Sequence, residues 1–297
     1  MAAQAKNGRG RQLAWRVPAA LVALVVVVLL ARWLREVPAV TDFVTRYPGV
    51  SELPAAAPVG MPAWLAWQHF LNAFFLVFIV RSGWLVRTTA RPRGHWQPRR
   101  GGPRISLNLW LHLAVDLLWV LNGAVFLVLL VVTGRWAWLV PTNWDVVPNA
   151  LSVALQYASL DWPAHSSWLG YNALQQLAYF ATVFVAAPLA LVTGLRMSPV
   201  WPQSPRGLSR AVPMGFARAL HFPLMVYFVG FTVVHVTLVL ATDAVANLNH
   251  MFAAREDGGW LGLVFFAVAL VLMVVAWVVA RPVFVQPVAA LTGKVTR

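Results

Sequence analysis

Six stretches of about twenty residues, almost free of charge, constrain this chain more than any other feature, because such segments are stable as helices crossing the hydrocarbon of a bilayer. They run Val17 to Leu34, Ala63 to Leu85, Leu107 to Val132, Leu169 to Leu195, Ala219 to Ala241 and Trp260 to Ala280. The expected fold is all-α: a polytopic transmembrane helical bundle with six spans. With 60% hydrophobic and 11% charged residues among 297, the chain lacks the polar surface that a soluble domain of this size needs. The first run follows Lys6, Arg9, Arg11 and Arg16 as a secretory signal would, but its length and the lack of a small-residue cleavage site read as an anchor.

The charge pattern gives a topology. Arg87, Arg91, Arg93, Arg99, Arg100 and Arg104 lie between the second and third spans, and Arg196, Arg206, Arg210 and Arg218 between the fourth and fifth. Loops with such an excess stay in the cytoplasm. The connections from Arg35 to Pro62, Thr133 to Trp168 and Thr242 to Gly259 carry Asp145, Asp161, Asp243, Glu256 and Asp257 and belong outside. Lys294 and Arg297 then put both termini in the cytoplasm, as expected for a multi-pass protein of the inner (plasma) membrane that contacts lipid. The net charge of +14 resides in these flanking segments, so no nucleic-acid partner is expected. Arg91 to Pro103 reads as a flexible basic loop. The connection from Thr133 to Trp168 carries Trp136, Trp138, Trp144, Trp162 and Trp168, broken by Pro141, Pro148 and Pro163. It reads as interfacial aromatics on short surface-lying pieces, with a lid or a docking surface as the functional alternative.

The chain has no cysteine, which excludes thiolate-held iron–sulfur clusters, cysteine zinc sites, c-type haem attachment and disulfides. Histidine is the strong nitrogen donor that remains. His221 and His235 share the fifth span, fourteen residues apart. At about 1.5 Å and about 100° per residue, that separation means roughly 20 Å of depth and only about 40° of azimuth. One imidazole is expected near each membrane face, on one side of one helix. His69 opens the second span from outside and His112 opens the third from inside, so their depths match His235 and His221 respectively. The pattern proposes two couples, His69 with His235 and His112 with His221, each bridging two helices. A low-spin b-type haem requires this: two neutral imidazoles on opposite sides of a flat macrocycle in an apolar slot. Ionisable groups inside a span are costly and mark function.

Other residues carry weaker signals. Gly230 lies between His221 and His235, and Gly123 is on the third span; both suit either macrocycle clearance or close helix packing. Asp116, one turn after His112, offers a carboxylate to an imidazole or to quinone-linked proton exchange. Arg81 and Arg87 suit haem propionates or lipid headgroups. His95, His165 and His250 are expected to be solvated or interfacial, with an outer quinone site formed by His250 beside Asn247, Asn249 and Met251 as the alternative.

Together, His69 with Asn72 opening one span, His112 opening the next, Tyr171-Asn172-Ala173-Leu174-Gln175 leading into a span that ends Thr193-Gly194, and the His221/His235 helix resemble the bacterial di-haem cytochrome b superfamily. Its members include the membrane subunits of formate dehydrogenase, NiFe hydrogenase and thiosulfate reductase. The resemblance covers Ala63 to Ala241 or further to Ala280, and rests on the order and depth of the four histidines rather than on one short motif. It implies a four-helix core at 63–241, preceded by a tail, an extra anchor and an outer loop at 1–62 and followed by a loop, a last span and a tail at 242–297. It also implies two bis-histidine b-type haems on His69, His235, His112 and His221, electron exchange with the quinone pool, quinone or quinol as substrate, and a partner redox enzyme, often molybdopterin-dependent. The chain would then be the electron-transfer subunit of an oxidoreductase complex, with no catalytic residue assigned. The leading span Val17 to Leu34 departs from the family and inverts the core relative to members that start it from the cytoplasm. The competing reading is a histidine-lined ion or proton transporter without haem.

Overall fold

The apolar runs do form helices. The structure, a computed structural model, describes residues 2–163, 167–202 and 206–296. Among them, six helices are long and apolar enough to cross a membrane: Trp15–Glu36, Ala63–Thr88, Leu107–Val132, Ala173–Met197, Met214–Ala253 and Leu261–Val279. Their apolar side chains face mainly outward, as with Val125, Val128 and Val131 on one span and Val271, Val274 and Val278 on another. Helices that are hydrophobic on their outer faces belong in lipid. The chain is a multi-pass, all-α membrane bundle.

The described residues group into two compact units. One comprises the chain up to Ala55 together with Ala137–Tyr179. It contains α1 (Ala2–Glu36), α2 (Pro38–Arg46) and α6 (Val146–Ala158). Pro38 at the start of α2 separates it from α1, since proline favours a helix start and disfavours a helix interior. Val153 and Ala173 are fully buried, and Asn149 accepts the Gly49 amide at 2.8 Å. Arg35 pairs with Asp161, and Arg32 donates to the Ser159 carbonyl at 3.0 Å. Residues 137–163 of the tryptophan-rich connection are therefore a folded part of a unit with its own core. Trp138 is buried against Tyr171, whereas Trp144 is exposed.

The motif at Tyr171–Gln175 has a local explanation. Asn172 Oδ1 accepts the Gln175 amide at 2.9 Å while Gln175 Oε1 accepts the Asn172 amide at 3.0 Å. This reciprocal capping box opens α7 (Ala173–Phe180). A π-helical turn at Ala181–Ala186 follows, then α8 (Ala187–Met197), whose first turn holds Pro188. The proline has no amide to give the ladder, and a widened turn just before it absorbs the mismatch.

The other unit comprises Ala56–Trp136 and Phe180–Arg297. In it α3 (Ala63–Thr88) packs along α4 (Leu107–Val132), α10 (Met214–Leu248) packs on α8, and α11 (Leu261–Val279) packs beside α10. Ala186, Leu224 and Phe228 form a buried cluster with Leu76, Leu189 and Leu220 around it. The fifth span runs well past Ala241. It breaks at Asp243 (φ −156°, ψ 88°), resumes to Leu248 and ends in a π-turn at Asn249–Ala253. Asp243 Oδ1 caps the resumed helix by accepting the Ala246 amide at 3.0 Å.

The basic segment expected to be a flexible loop is ordered instead. His95–Pro98 (β1) pairs antiparallel with Ile105–Ser106 (β2) on one edge and with Gly293–Thr296 (β3) on the other. Trp96 Nε1 donates to the Ala289 carbonyl at 3.1 Å, tying the hairpin to α12 (Pro282–Thr292). A Cβ on Gly293 would lie 2.3 Å from Trp96 Nε1 and 2.4 Å from the Gln97 carbonyl. Gly293→Val is therefore expected to unzip β3 from β1, read as trypsin cleavage at Arg91–Arg104 at least tenfold faster than in the unaltered chain, about the opening expected for a loss of roughly 1.4 kcal/mol.

Candidate di-histidine centres

Four histidines from three helices meet as two couples within the second unit. His69, on the first turns of α3, has its ring centre 6.2 Å from that of His235 on α10, with the planes at 60°. His112, on the first turns of α4, lies 6.4 Å from His221 on the same α10, with the planes at 87°. These are the couples that matched depth predicts. At both, the separation exceeds direct hydrogen-bond contact between rings and leaves a gap between them.

The surroundings differ between the couples. Phe231, one turn before His235, stacks on that ring at 5.7 Å and 4°, and Phe252 from the π-turn meets His69 edge-on at 5.5 Å. His69 Nδ1 is buried without a hydrogen-bond partner among the described residues. At the other couple both Nδ1 atoms are held: His112 by Ser82 Oγ and His221 by Thr193 Oγ1, each at 2.9 Å. In the sequence Ser82 carries no signal of its own and Thr193 marks only the end of a span. The repeated hydroxyl-glycine pairs, Ser82-Gly83 and Thr193-Gly194, were the available signal.

Asp116 lies near the second couple. Its Oδ2 is 3.6 Å from His112 Nε2, beyond hydrogen-bond length, with the carboxylate partly exposed. Asn72 accepts the Trp119 indole N–H at 2.7 Å, locking α3 to α4 between the levels of His69 and His112. Arg81 sits over the Trp277 ring at 4.6 Å with Nη1 buried and unpaired among the described residues, and Arg87 over Phe222 at 4.0 Å. Both cations therefore sit on aromatic faces near the His112–His221 level. A Cβ added at Gly123 or Gly230 would meet open space, so close helix packing explains neither glycine.

Of the remaining histidines, His95 lies on β1 with Nδ1 buried, and His250 is only 6% exposed in the π-turn, which corrects the expectation of a solvated or interfacial side chain there. Its neighbour Asn249 is fully buried and organises the turn. His165 lies outside the described residues. No group of three or more His, Asp or Glu side chains arranged to hold a metal ion occurs among the described residues.

No family model and no solved structure matches the chain. Among curated proteins it is similar to one from Azospira oryzae described as "Putative protein-methionine-sulfoxide reductase subunit YedZ1". The two are 28% identical over 187 residues, which take in 60% of this chain and 88% of the relative.

Proposed function

We propose that this chain is a membrane cytochrome b subunit that passes electrons between the quinone pool and a partner redox enzyme, through one b-type haem at the His69–His235 couple and a second at the His112–His221 couple. The observation that carries this reading is the pair of ring separations, 6.2 and 6.4 Å. Two imidazoles bound to one metal, at about 2 Å per metal–nitrogen bond and about 1.1 Å further to each ring centre, stand about 6.2 Å apart. Among the described residues each couple supplies two donors. That suits a macrocycle bringing four nitrogens of its own better than a bare ion, which needs three or four protein ligands. The clear space beside Gly123 and Gly230 and the unpartnered Nδ1 of His69 agree with room for a further group.

When bound, haem supplies reversible one-electron chemistry at iron. The chain's own residues supply placement. His221 and His235 on one continuous helix fix two centres about 20 Å apart along the membrane normal. Arg81 and Arg87, cations on aromatic platforms, are the groups able to meet propionates. Asp116, a carboxylate inside a span, can hold and release a proton beside the His112–His221 couple, as quinol oxidation or quinone reduction requires. The relative's name points to a partner that reduces methionine sulfoxide in proteins. That reduction takes up two electrons and two protons and releases water, so electrons would leave a quinol, cross this subunit one at a time and end in the partner, in the resembling complexes often a molybdopterin-dependent enzyme.

The test is the dithionite-reduced spectrum of purified full-length protein. A b-type spectrum with two haems per chain is expected, and a chain without haem would overturn the reading in favour of a histidine-lined transporter.

A further inference from the structure

The surroundings of the His112–His221 couple contain a duplication. On α3, Ser82 is followed by Gly83 and faces His112; on α8, Thr193 is followed by Gly194 and faces His221. Ser82 Oγ lies 2.6 Å from the Phe78 carbonyl and 3.2 Å from that of Ile79, and Thr193 Oγ1 lies 2.7 Å from Leu189 and 3.1 Å from Ala190. A hydroxyl has one proton, and here a carbonyl one turn back takes it. What remains toward the imidazole is an oxygen lone pair. Nδ1 must therefore carry the hydrogen in both rings, and Nε2 is left as the bare lone pair. Both hydroxyl side chains are almost wholly buried, so water does not substitute for them.

The glycines make the approach possible. A Cβ at Gly83 would stand 3.2 Å from His112 Cε1, and one at Gly194 would stand 3.3 Å from His221 Cε1. A larger residue would push the ring from the helix that carries its hydroxyl partner.

We infer that Ser82-Gly83 and Thr193-Gly194 are matched positioning devices, which fix His112 and His221 in the Nδ1–H tautomer and free both Nε2 atoms to bind the same metal centre. The identity of that centre as haem rests on the function proposed above, whereas the tautomer assignment does not. Groups that hold the non-ligating nitrogen set the orientation and basicity of a ligand imidazole, and their loss costs roughly 10- to 100-fold in metal affinity. A hydrogen bond at Nδ1 also makes the ligand a better donor to the oxidised metal, so removing it favours the reduced state.

The experiment uses full-length protein carrying His69→Ala, which leaves the His112–His221 centre alone to be read. Adding Ser82→Ala or Thr193→Ala should weaken haem retention by about tenfold. It should also raise the midpoint potential, by about 59 mV for each tenfold shift in the one-electron equilibrium. Ser82→Thr and Thr193→Ser should restore both properties, because either hydroxyl can accept from Nδ1. Nitrogen-15 imidazole spectra of the reduced, unsubstituted chain should show the proton on Nδ1 of His112 and His221. Alanine variants with unchanged retention and potential, or a proton on Nε2, would overturn the proposal. If the unsubstituted chain carries no haem, the cytochrome reading falls, and the same nitrogen-15 spectra still decide the tautomer.

Discussion

Replacing His221 and His235 together by alanine is expected to abolish the reduced b-type spectrum of the purified chain, whereas replacing either one alone should remove about half of it. Both residues sit on α10 and each belongs to a different couple, so one helix contributes an imidazole to each couple. The couples make a sharper prediction than any single substitution. His69→Ala and His235→Ala should give the same residual spectrum, and combining them should cost nothing further, because the second change acts on a centre already lost. His69→Ala with His112→Ala, from different couples, should remove everything. Haem per chain, measured by pyridine haemochrome, checks all of these. A full loss on combining His69→Ala with His235→Ala would show that the pairing is wrong, and an unchanged spectrum in the His221/His235 double variant would show that the haem lies elsewhere.

The parts of this arrangement that were legible in the sequence are those set by one-dimensional periodicity. Six apolar runs became six long helices because nothing but a helix satisfies its backbone in lipid. The spacing of His221 and His235 fixed their relative height and azimuth because a helix is a rigid ruler over fourteen residues. Features that depend on what meets what were less visible. The hairpin at His95–Pro98 and Ile105–Ser106 depends on a strand almost two hundred residues later, which a composition rich in Arg, Pro and Gly conceals. Ser82 and Thr193 look like ordinary span residues until α4 and α10 bring imidazoles to them. The sequence ends the fifth span at Ala241 because Asp243 and the asparagines beyond it are polar. The helix absorbs Asp243 as a break and a cap, and carries the asparagines inward.

Asn249 shows the consequence of that inward turn, and its replacement by leucine should be among the most damaging changes to a residue outside the four histidines. The side chain is fully buried and makes a closed set of bonds. Nδ2 donates to the Asp257 and Gly259 carbonyls at 2.7 Å each and approaches Asp257 Oδ1 at 3.1 Å, while Oδ1 accepts the Gly262 amide at 2.7 Å. These bonds fold the connection back so that α11 begins against the π-turn. Leucine has nearly the same volume but leaves two carbonyls and one amide without partners. At about 1–3 kcal/mol for each buried group left unpaired, partly relieved by local opening, the loss should be on the order of 4 kcal/mol. The same turn carries Phe252, whose ring lies 5.5 Å from His69, so loosening it should disturb the His69–His235 couple first. The expected result is a clearly lower thermal midpoint in detergent, with loss of one haem while the haem at His112–His221 is kept. A midpoint equal to that of the unsubstituted chain would mean that the asparagine bonds are replaced by water, and loss of both haems in equal measure would mean that the damage is global rather than local to the turn.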